Sequence, residues 1–213
     1  MRMLPFKKSE RKFSSVLSEV RTSMGGQGLS LGELLERLGE GGLLTFCMVL
    51  TIPFLLPVSI PGTSTPFGLL MALVSAGLIL NRPPWLPAFL MKRQMARAHL
   101  APALEKGAVF FERLEKWIHP RWGFLTGSLL MQRLNGLAML VAAVFLMAPM
   151  PLPLANALPA YSVLFLAVGC LERDGWAILA GDLMLAATTA YFSLIAFVGW
   201  AGLKALAAHL WLA

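Results

Sequence analysis

Three long apolar stretches dominate the chain, and charged side chains are confined to the segments around them. Asp, Glu, Lys and Arg are absent from residues 41–81 and from residues 134–171, and only Asp182 and Lys204 lie beyond Gly175. A helix needs about 20 apolar residues to cross a hydrocarbon core of roughly 30 Å. The pattern therefore predicts an all-α integral membrane protein.

Prolines interrupt the first two apolar stretches near the middle, and each stretch is too long for one span and short for two. We call PVSIPGTSTP, residues 57–66, the first elbow, and PMPLPLANALP, residues 149–159, the second elbow. Proline removes an amide donor and clashes with the preceding turn, so such backbone persists at membrane depth only where protein or a watery cavity covers it. We predict two Pro-broken helical hairpins, at 42–81 and 134–171, which either span the bilayer or re-enter it. The alternative for each elbow is an ordinary extramembrane turn.

Polar and basic segments flank the first hairpin. Residues 1–29 are predicted to form a basic N-terminal arm. Ser30 followed by Glu33 has the spacing of a capping box, and four leucines then share one helix face. Residues 30–39 are therefore predicted as an amphipathic helix on the membrane surface, and residues 88–122 as a basic interfacial or extramembrane segment.

The same order of helix, apolar leg, elbow, apolar leg and charged stop occurs twice. Matching residues lie 91 or 92 positions apart, namely Pro61 and Pro153, Gly77 and Gly169, Trp85 and Trp176. We therefore predict an internal duplication, with repeat 1 at 30–122 and repeat 2 at 123–213, as in many transporter folds. In repeat 2, one further transmembrane helix at 176–202 and a C-terminal tail follow the hairpin.

The charge distribution favours lipid as the partner of the basic residues. The chain has a net charge of +7, and its Lys and Arg residues lie beside the apolar stretches rather than in a separate soluble domain. We therefore expect contact with anionic headgroups and no nucleic-acid binding. Residues 1–40 contain seven Lys or Arg and residues 82–133 contain nine, whereas the elbows contain none. The positive-inside bias predicts a cytoplasmic N-terminus, and no cleaved signal peptide is expected.

The uncharged polar and proline residues of the two elbows are the candidate substrate site. If the elbows face each other, their hydroxyl and amide groups line a central polar site. These candidates are Pro57, Pro61, Gly62, Thr63, Ser64, Thr65, Pro66, Pro151, Pro153, Asn156 and Pro159.

Charged candidates lie near the ends of the predicted helices. Asp182 lies inside the last span, where a central carboxylate costs about 2.5–3.5 kcal/mol, so either a partner or a position near water is expected. Arg173 and Asp174 are candidates to cluster with it. Arg37, Arg82 and Arg133 are candidates for a basic rim that binds phosphate groups. The alternative is that each arginine only sets the membrane topology.

The sequence contains no catalytic or metal-binding constellation. His99, His119 and His209 are isolated, and neither a nucleophile elbow nor a Walker loop occurs. Cys47 and Cys170 are predicted to be inert buried thiols. No cofactor and no metal are expected, and enzymatic activity is disfavoured.

Three groups of motifs follow one another along residues 30–202. They are PFLLPVSIPGTSTPFGLLMALVSAGLILNRPPWLP, then HPRW with LTG, then PLPLANALPAYSVLFLAVGCLERDG with LAG. In this order they resemble the ExoD family of bacterial exopolysaccharide-synthesis membrane proteins. Gly77, where the family pattern often has Gln, and Asn81, where it often has Gly, are departures. The resemblance implies the bacterial inner (cytoplasmic) membrane and a link to exopolysaccharide production, and it supplies no catalytic residues.

These features favour a non-enzymatic protein that accommodates or passes a polysaccharide-related substrate, such as a polyprenyl-phosphate-linked intermediate, at the paired elbows. The alternative is a scaffold or regulator whose segment 88–122 docks a soluble partner. A membrane transferase or phosphatase that uses Asp182, Asp174 or Arg173 is a third hypothesis. A homodimer is favoured, because two short hairpins and one span make a thin wall around polar backbone.

Overall fold

A computed structural model describes most of the chain. The described residues are 13–23, 29–55, 64–82, 84, 86–92, 94–95, 101–102, 104–106, 108–109, 111–113, 122–148, 152 and 154–212. Within these ranges the chain is helical apart from turns and one pair of two-residue strands. The predicted all-α class is confirmed.

Helix α1 (Phe13–Ser23) and strand β1 (Leu29–Ser30) precede the first hairpin. Leu17 and Val20 of α1 are buried. Part of the N-terminal arm, which the sequence predicted only as a basic extension, is therefore a packed helix.

Helix α2 (Leu31–Leu55) contains a kink that separates an amphipathic part from the first apolar leg. Ser30 and Glu33 form the predicted capping box, because the Glu33 N–H donates to Ser30 Oγ (3.2 Å) and the Ser30 N–H donates to Glu33 Oε2 (2.8 Å). Gly39 breaks the helical geometry with φ 60° and ψ −141°. Glycine adopts this left-handed region without the steric cost that a Cβ imposes. The kink lies where the predicted surface helix was expected to end.

After helix α3 (Ser64–Leu80), the chain returns to α1 and builds a layer that we call the polar layer. Short helix α4 (Ala88–Met91) leads to strand β2 (Gln94–Met95), which pairs antiparallel with β1. The described residues between 101 and 113 are helical and bury Leu104 and Phe111. Glu105 forms an ion pair with Arg21 of α1 (3.0 Å). The polar layer thus consists of α1, the two strands and these helical residues.

The described residues from 122 onward form four further helices. They are α5 (Phe124–Gly127), α6 (Leu129–Met147), α7 (Ala157–Glu172) and α8 (Gly175–Leu212). Ser128 caps α6, because its Oγ accepts the Met131 N–H (3.1 Å). Helix α8 continues unbroken to Leu212, so the predicted tail after residue 202 extends the last helix instead of forming a separate segment.

The two hairpins pack crosswise. Helix α3 packs mainly against α6, and α2 packs mainly against α7, while contacts of α2 with α3 and of α6 with α7 close the ring. Helices α2 and α6 therefore occupy diagonal positions, as do α3 and α7, and α8 lies along α7. Alanines fully buried between the legs allow the backbones to approach closely; they are Ala142, Ala143, Ala160 and Ala167.

Among the described residues, three helices are long and apolar enough to cross a membrane, namely Leu31–Leu55, Leu129–Met147 and Gly175–Ala201. The second legs, α3 and α7, have 17 and 16 residues. At 1.5 Å per residue these legs rise about 24 to 26 Å, slightly less than the hydrocarbon core. Re-entry of the hairpins stays a prediction.

Candidate functional site

The four-helix ring has two chemically different ends. We call the end at which α2 and α6 finish and α3 and α7 begin the elbow end, and the opposite end the charged end. At the elbow end the described residues of these helices carry no charged side chain. All four candidate arginines lie at the charged end with exposed side chains; they are Arg37, Arg82, Arg133 and Arg173. Arg37 also lines a cleft of about 290 Å³ together with Glu19 of α1.

At the elbow end, the last part of the first elbow touches the residue at which α6 finishes. Thr65 Oγ1 donates to the backbone carbonyl of Met147 at 3.4 Å. The second elbow begins two residues after Met147. The boundaries of the two elbows are therefore adjacent in space, although they lie 82 residues apart in sequence.

One turn into α3, Gly68 lets the two hairpins approach closely. A Cβ on Gly68 would lie 2.6 Å from the Met147 side chain and 2.9 Å from the Ala143 carbonyl. Any larger residue would separate α3 from α6. Close packing thus holds Thr65 beside Met147.

At the beginnings of α3 and α7 lie two polar residues, Ser64, which is buried, and Asn156, which is half-buried. Ser64 is only 6% exposed. Asn156 occupies the N-cap of α7 but makes no capping bond, and its Oδ1 is buried without a hydrogen-bond partner among the described residues. A buried, unpaired amide oxygen is uncommon in folded proteins and marks a position where a ligand or water fits.

The other elbow candidates are partly described. Pro66 is exposed and Pro159 is fully buried. Pro57, Pro61, Gly62, Thr63, Pro151 and Pro153 lie outside the described residues.

At the charged end, a polar cluster joins helices that are diagonal in the ring. Gln132 Nε2 donates to Glu40 Oε1 at 2.8 Å, and the two residues are 92 positions apart. Sequence reasoning did not select either residue. The signal was present, because Glu40 is the last charge before the first apolar stretch and its offset to Gln132 matches the offset between the elbow prolines.

Asn135 extends this cluster one turn deeper into the bundle. It is 6% exposed, its Nδ2 donates to the Leu125 carbonyl (3.0 Å), and its side chain lies near the Cys170 thiol. Cys170 is half-buried, and Glu40 and Asp182 lie within electrostatic range of it. The sequence predicted Cys170 only as an inert buried thiol; Cys47 is buried as expected.

Asp182, Arg173 and Asp174 lie in different local environments. Asp182 is exposed about two turns inside α8. Arg173 terminates α7 in a left-handed conformation (φ 55°), and Asp174 Oδ1 accepts the Trp176 N–H (2.9 Å) as a cap of α8. These two residues therefore form the turn between α7 and α8. Among the described residues, no group of three or more His, Cys, Asp or Glu could hold a metal ion.

Several helices have membrane length and apolar composition. The hydroxyls of Thr51, Ser75 and Thr188 donate to carbonyls of their own helices, and the four-helix ring carries its charges at one end. These features define the class, a helical membrane protein. The family model described as Exopolysaccharide synthesis, ExoD, matches residues 13–194. The chain belongs to the ExoD family, whose description links it to exopolysaccharide synthesis.

Two curated proteins illustrate the relationship. The chain is 42% identical over 197 residues to Protein ExoD of Rhizobium meliloti, covering 92% of this chain and 82% of that protein. It is 31% identical over 155 residues to an uncharacterized protein of Synechocystis sp., covering 68% of this chain and 72% of that protein. No solved structure gives a significant match.

Proposed function

We propose that this protein is a non-enzymatic component of exopolysaccharide synthesis in the inner membrane, with a cytoplasmic N-terminus, which binds and translocates a polysaccharide-related substrate at its paired elbows. The observation that carries the proposal is the hydrogen bond from Thr65 to the Met147 carbonyl (3.4 Å), because it brings the boundaries of both elbows together. The unpaired Oδ1 of Asn156 supplies a polar group for a ligand near that junction.

The proposed duplication is supported by how the helices end. Adding 92 to the last residue of α2, Leu55, gives Met147, the last residue of α6. The same shift takes α3 (Ser64–Leu80) to 156–172, which differs from α7 by one residue. Local backbone bonds agree as well, since the Arg82 N–H donates to the Gly77 carbonyl (3.0 Å) and the Asp174 N–H donates to the Gly169 carbonyl (3.0 Å).

The crosswise packing supports a pseudo-two-fold relation between the hairpins. Exchanging α2 with α6 and α3 with α7 converts the α3–α6 contact into the α7–α2 contact. The first legs of both hairpins finish, and the second legs begin, at the same end of the ring, which supports an axis along the membrane normal, as in transporters with parallel repeats.

The substrate class follows from the electrostatics of the elbow end. Helices α3 and α7 both begin there, and a helix N-terminus carries unpaired amide donors and a partial positive charge. An anionic group attached to a lipid suits two such termini better than a neutral sugar does. We therefore propose a polyprenyl-phosphate-linked substrate.

Binding of polyprenyl phosphate to the full chain in nanodiscs tests this proposal. Thr65→Val and Asn156→Leu are each expected to weaken binding about fivefold, since each removes one polar partner worth about 1 kcal/mol. Thr189→Val is the matched control, because Thr189 is exposed on α8 and its hydroxyl bonds only to the Leu185 carbonyl within its own helix (2.9 Å). Failure of the wild type to bind, or wild-type binding by both elbow variants, contradicts the proposal. Movement of the lipid across liposomes measures translocation separately.

The polar layer favours a second candidate function, a scaffold that docks a soluble partner of the polysaccharide machinery. Leu104 and Phe111 are buried in this layer. The pairing of β2 with β1 connects segment 88–122 to the residues that immediately precede α2. Charge reversal at Lys92, Arg93 and Arg97 tests it. Loss of exopolysaccharide with unchanged lipid binding supports docking, whereas normal production excludes a docking role for these residues.

A further inference from the structure

The charged end of the ring has a feature that neither substrate binding nor docking requires. Helices α2 and α6 are diagonal and lack a shared packing face, yet Gln132 Nε2 and Glu40 Oε1 meet at 2.8 Å. The kink at Gly39 (φ 60°) redirects the chain immediately before Glu40. Gln132 lies in the first turn of α6, after the cap at Ser128. Both helices thus present one polar side chain at the start of the apolar leg.

The offset of 92 residues gives this contact a structural meaning. It equals the shift that relates the helix ends of the two hairpins, so Glu40 and Gln132 occupy equivalent positions. Equivalent positions touch each other only on the axis that relates them. The hydrogen bond therefore lies on the pseudo-two-fold axis, where it joins the first legs of the two hairpins at the charged end.

The next layer of polar contacts connects this bond to the rest of the charged end. Asn135 donates to the Leu125 carbonyl of α5 (3.0 Å), and its side chain lies near the Cys170 thiol of α7. At the elbow end, by contrast, the hairpins meet through Gly68 and Ala143 in close apolar packing. Apolar packing keeps its partners in lipid, whereas a carboxylate at the boundary can exchange its partner for water.

We propose that the Glu40–Gln132 hydrogen bond is a clasp that holds the charged end of the ring closed, and that its opening admits water to Cys170. The elbow end stays packed while the clasp opens, so α2 and α6 separate at one end only. The clasp is a property of the bundle and does not depend on which substrate the elbows bind.

The thiol of Cys170 provides a direct measurement. The chain has two cysteines, and Cys47→Ala leaves Cys170 as the single thiol. In full-length protein in nanodiscs, a membrane-impermeant maleimide should label Cys170 slowly. Gln132→Leu and Glu40→Leu are each expected to raise the labelling rate about tenfold, because each removes the hydrogen bond that joins α2 to α6 at the charged end.

Two further variants make the test specific. Glu36→Leu removes an exposed carboxylate one turn before Glu40 and should leave the labelling rate unchanged. The exchanged variant Glu40→Gln with Gln132→Glu restores a donor and an acceptor in reverse order and should label within about twofold of wild type. Labelling of folded Gln132→Leu at the wild-type rate overturns the clasp. If the single variants do not fold, rapid labelling of the exchanged variant overturns it instead.

Discussion

The first hairpin, α2–α3, and the second hairpin, α6–α7, finish their second legs with the same backbone arrangement and continue in different ways. Asn81 and Arg173 both adopt left-handed conformations, with φ of 51° and 55°. In each case the following N–H returns to a glycine carbonyl, from Arg82 to Gly77 and from Asp174 to Gly169, at 3.0 Å. This is the bonding of a helix C-terminus that satisfies its last carbonyls locally.

We call these two helix C-termini the stops. The residues immediately after each stop determine the path of the chain. After Arg82, prolines including Pro84 prevent a new helix, and the chain leaves for the polar layer. After Asp174, the residues from Trp176 onward form helices well, and α8 continues for 38 residues. The stop is therefore a local backbone arrangement that occurs in both hairpins. Whether another long helix follows it depends on the few residues after it.

The largest expected effect on stability comes from adding a side chain at the glycine of each stop. A Cβ on Gly169 would lie 2.7 Å from the Ile178 backbone nitrogen, which belongs to the long helix α8. A Cβ on Gly77 would lie 2.9 Å from the Arg82 carbonyl, which belongs to a short connection. We expect Gly169→Val to destabilise by about 3 kcal/mol and Gly77→Val by about 1 kcal/mol, because a connection shifts more easily than a packed helix.

Thermal unfolding in detergent, followed by monodispersity on size exclusion, measures this difference. Gly199→Val is the control, since nothing lies within 4 Å of a Cβ at Gly199. Equal losses for the two stop glycines would mean that the connection after α3 is as rigid as α8.

A smaller effect is expected at the residue that follows each stop. Asp174 is 7% exposed and its Oδ1 accepts the Trp176 N–H (2.9 Å), whereas Arg82 at the equivalent place is exposed. Asp174→Ala should lower the free energy of unfolding by about 1 kcal/mol through loss of the cap. Arg82→Ala should change it by less than about 0.5 kcal/mol. A comparable loss at Arg82, measured by the same thermal unfolding, would assign that arginine a structural role that its exposure does not indicate.

The smallest effect concerns the polar layer, whose main contacts in the described part of the chain are with α2 of the first hairpin. The ion pair between Arg21 and Glu105 (3.0 Å) is largely exposed. Arg21→Met should therefore cost at most about 0.5 kcal/mol, and the difference from wild type should disappear in high salt. Hydrogen exchange is expected to increase in α1 and to stay unchanged in α7. Faster exchange in both helices would show that the layer also supports the second hairpin.

Local features were predictable because their causes lie within a few residues. The capping box of Ser30 and Glu33 has a spacing that satisfies two amides reciprocally, and the structure contains both bonds. The packing of α1 was not predictable. Its Leu17 and Val20 are covered by residues distant in sequence, and their spacing alone does not reveal a partner.

The candidate site likewise contains residues that the sequence predicted and residues that it did not. The elbows were identified by their prolines, and Thr65 and Asn156 by their polar groups between apolar legs. The polar cluster at the charged end was missed, because Glu40, Gln132 and Asn135 lie at the edges of apolar stretches where polar residues are ordinary. Only the crosswise packing brings Gln132 to Glu40 at 2.8 Å.

By itself, the sequence determined the membrane class, the apolar legs, the proline breaks and the concentration of charge outside them. These follow from hydrophobicity and backbone restrictions that act over one or two helical turns. The tertiary structure alone decided that α3 pairs with α6 and α2 with α7, that the elbow boundaries meet at Thr65 and Met147, and that a polar bond joins the opposite end. Apolar helix faces are chemically similar, so the choice among partners depends on small residues and single hydrogen bonds that meet only when the whole bundle is assembled.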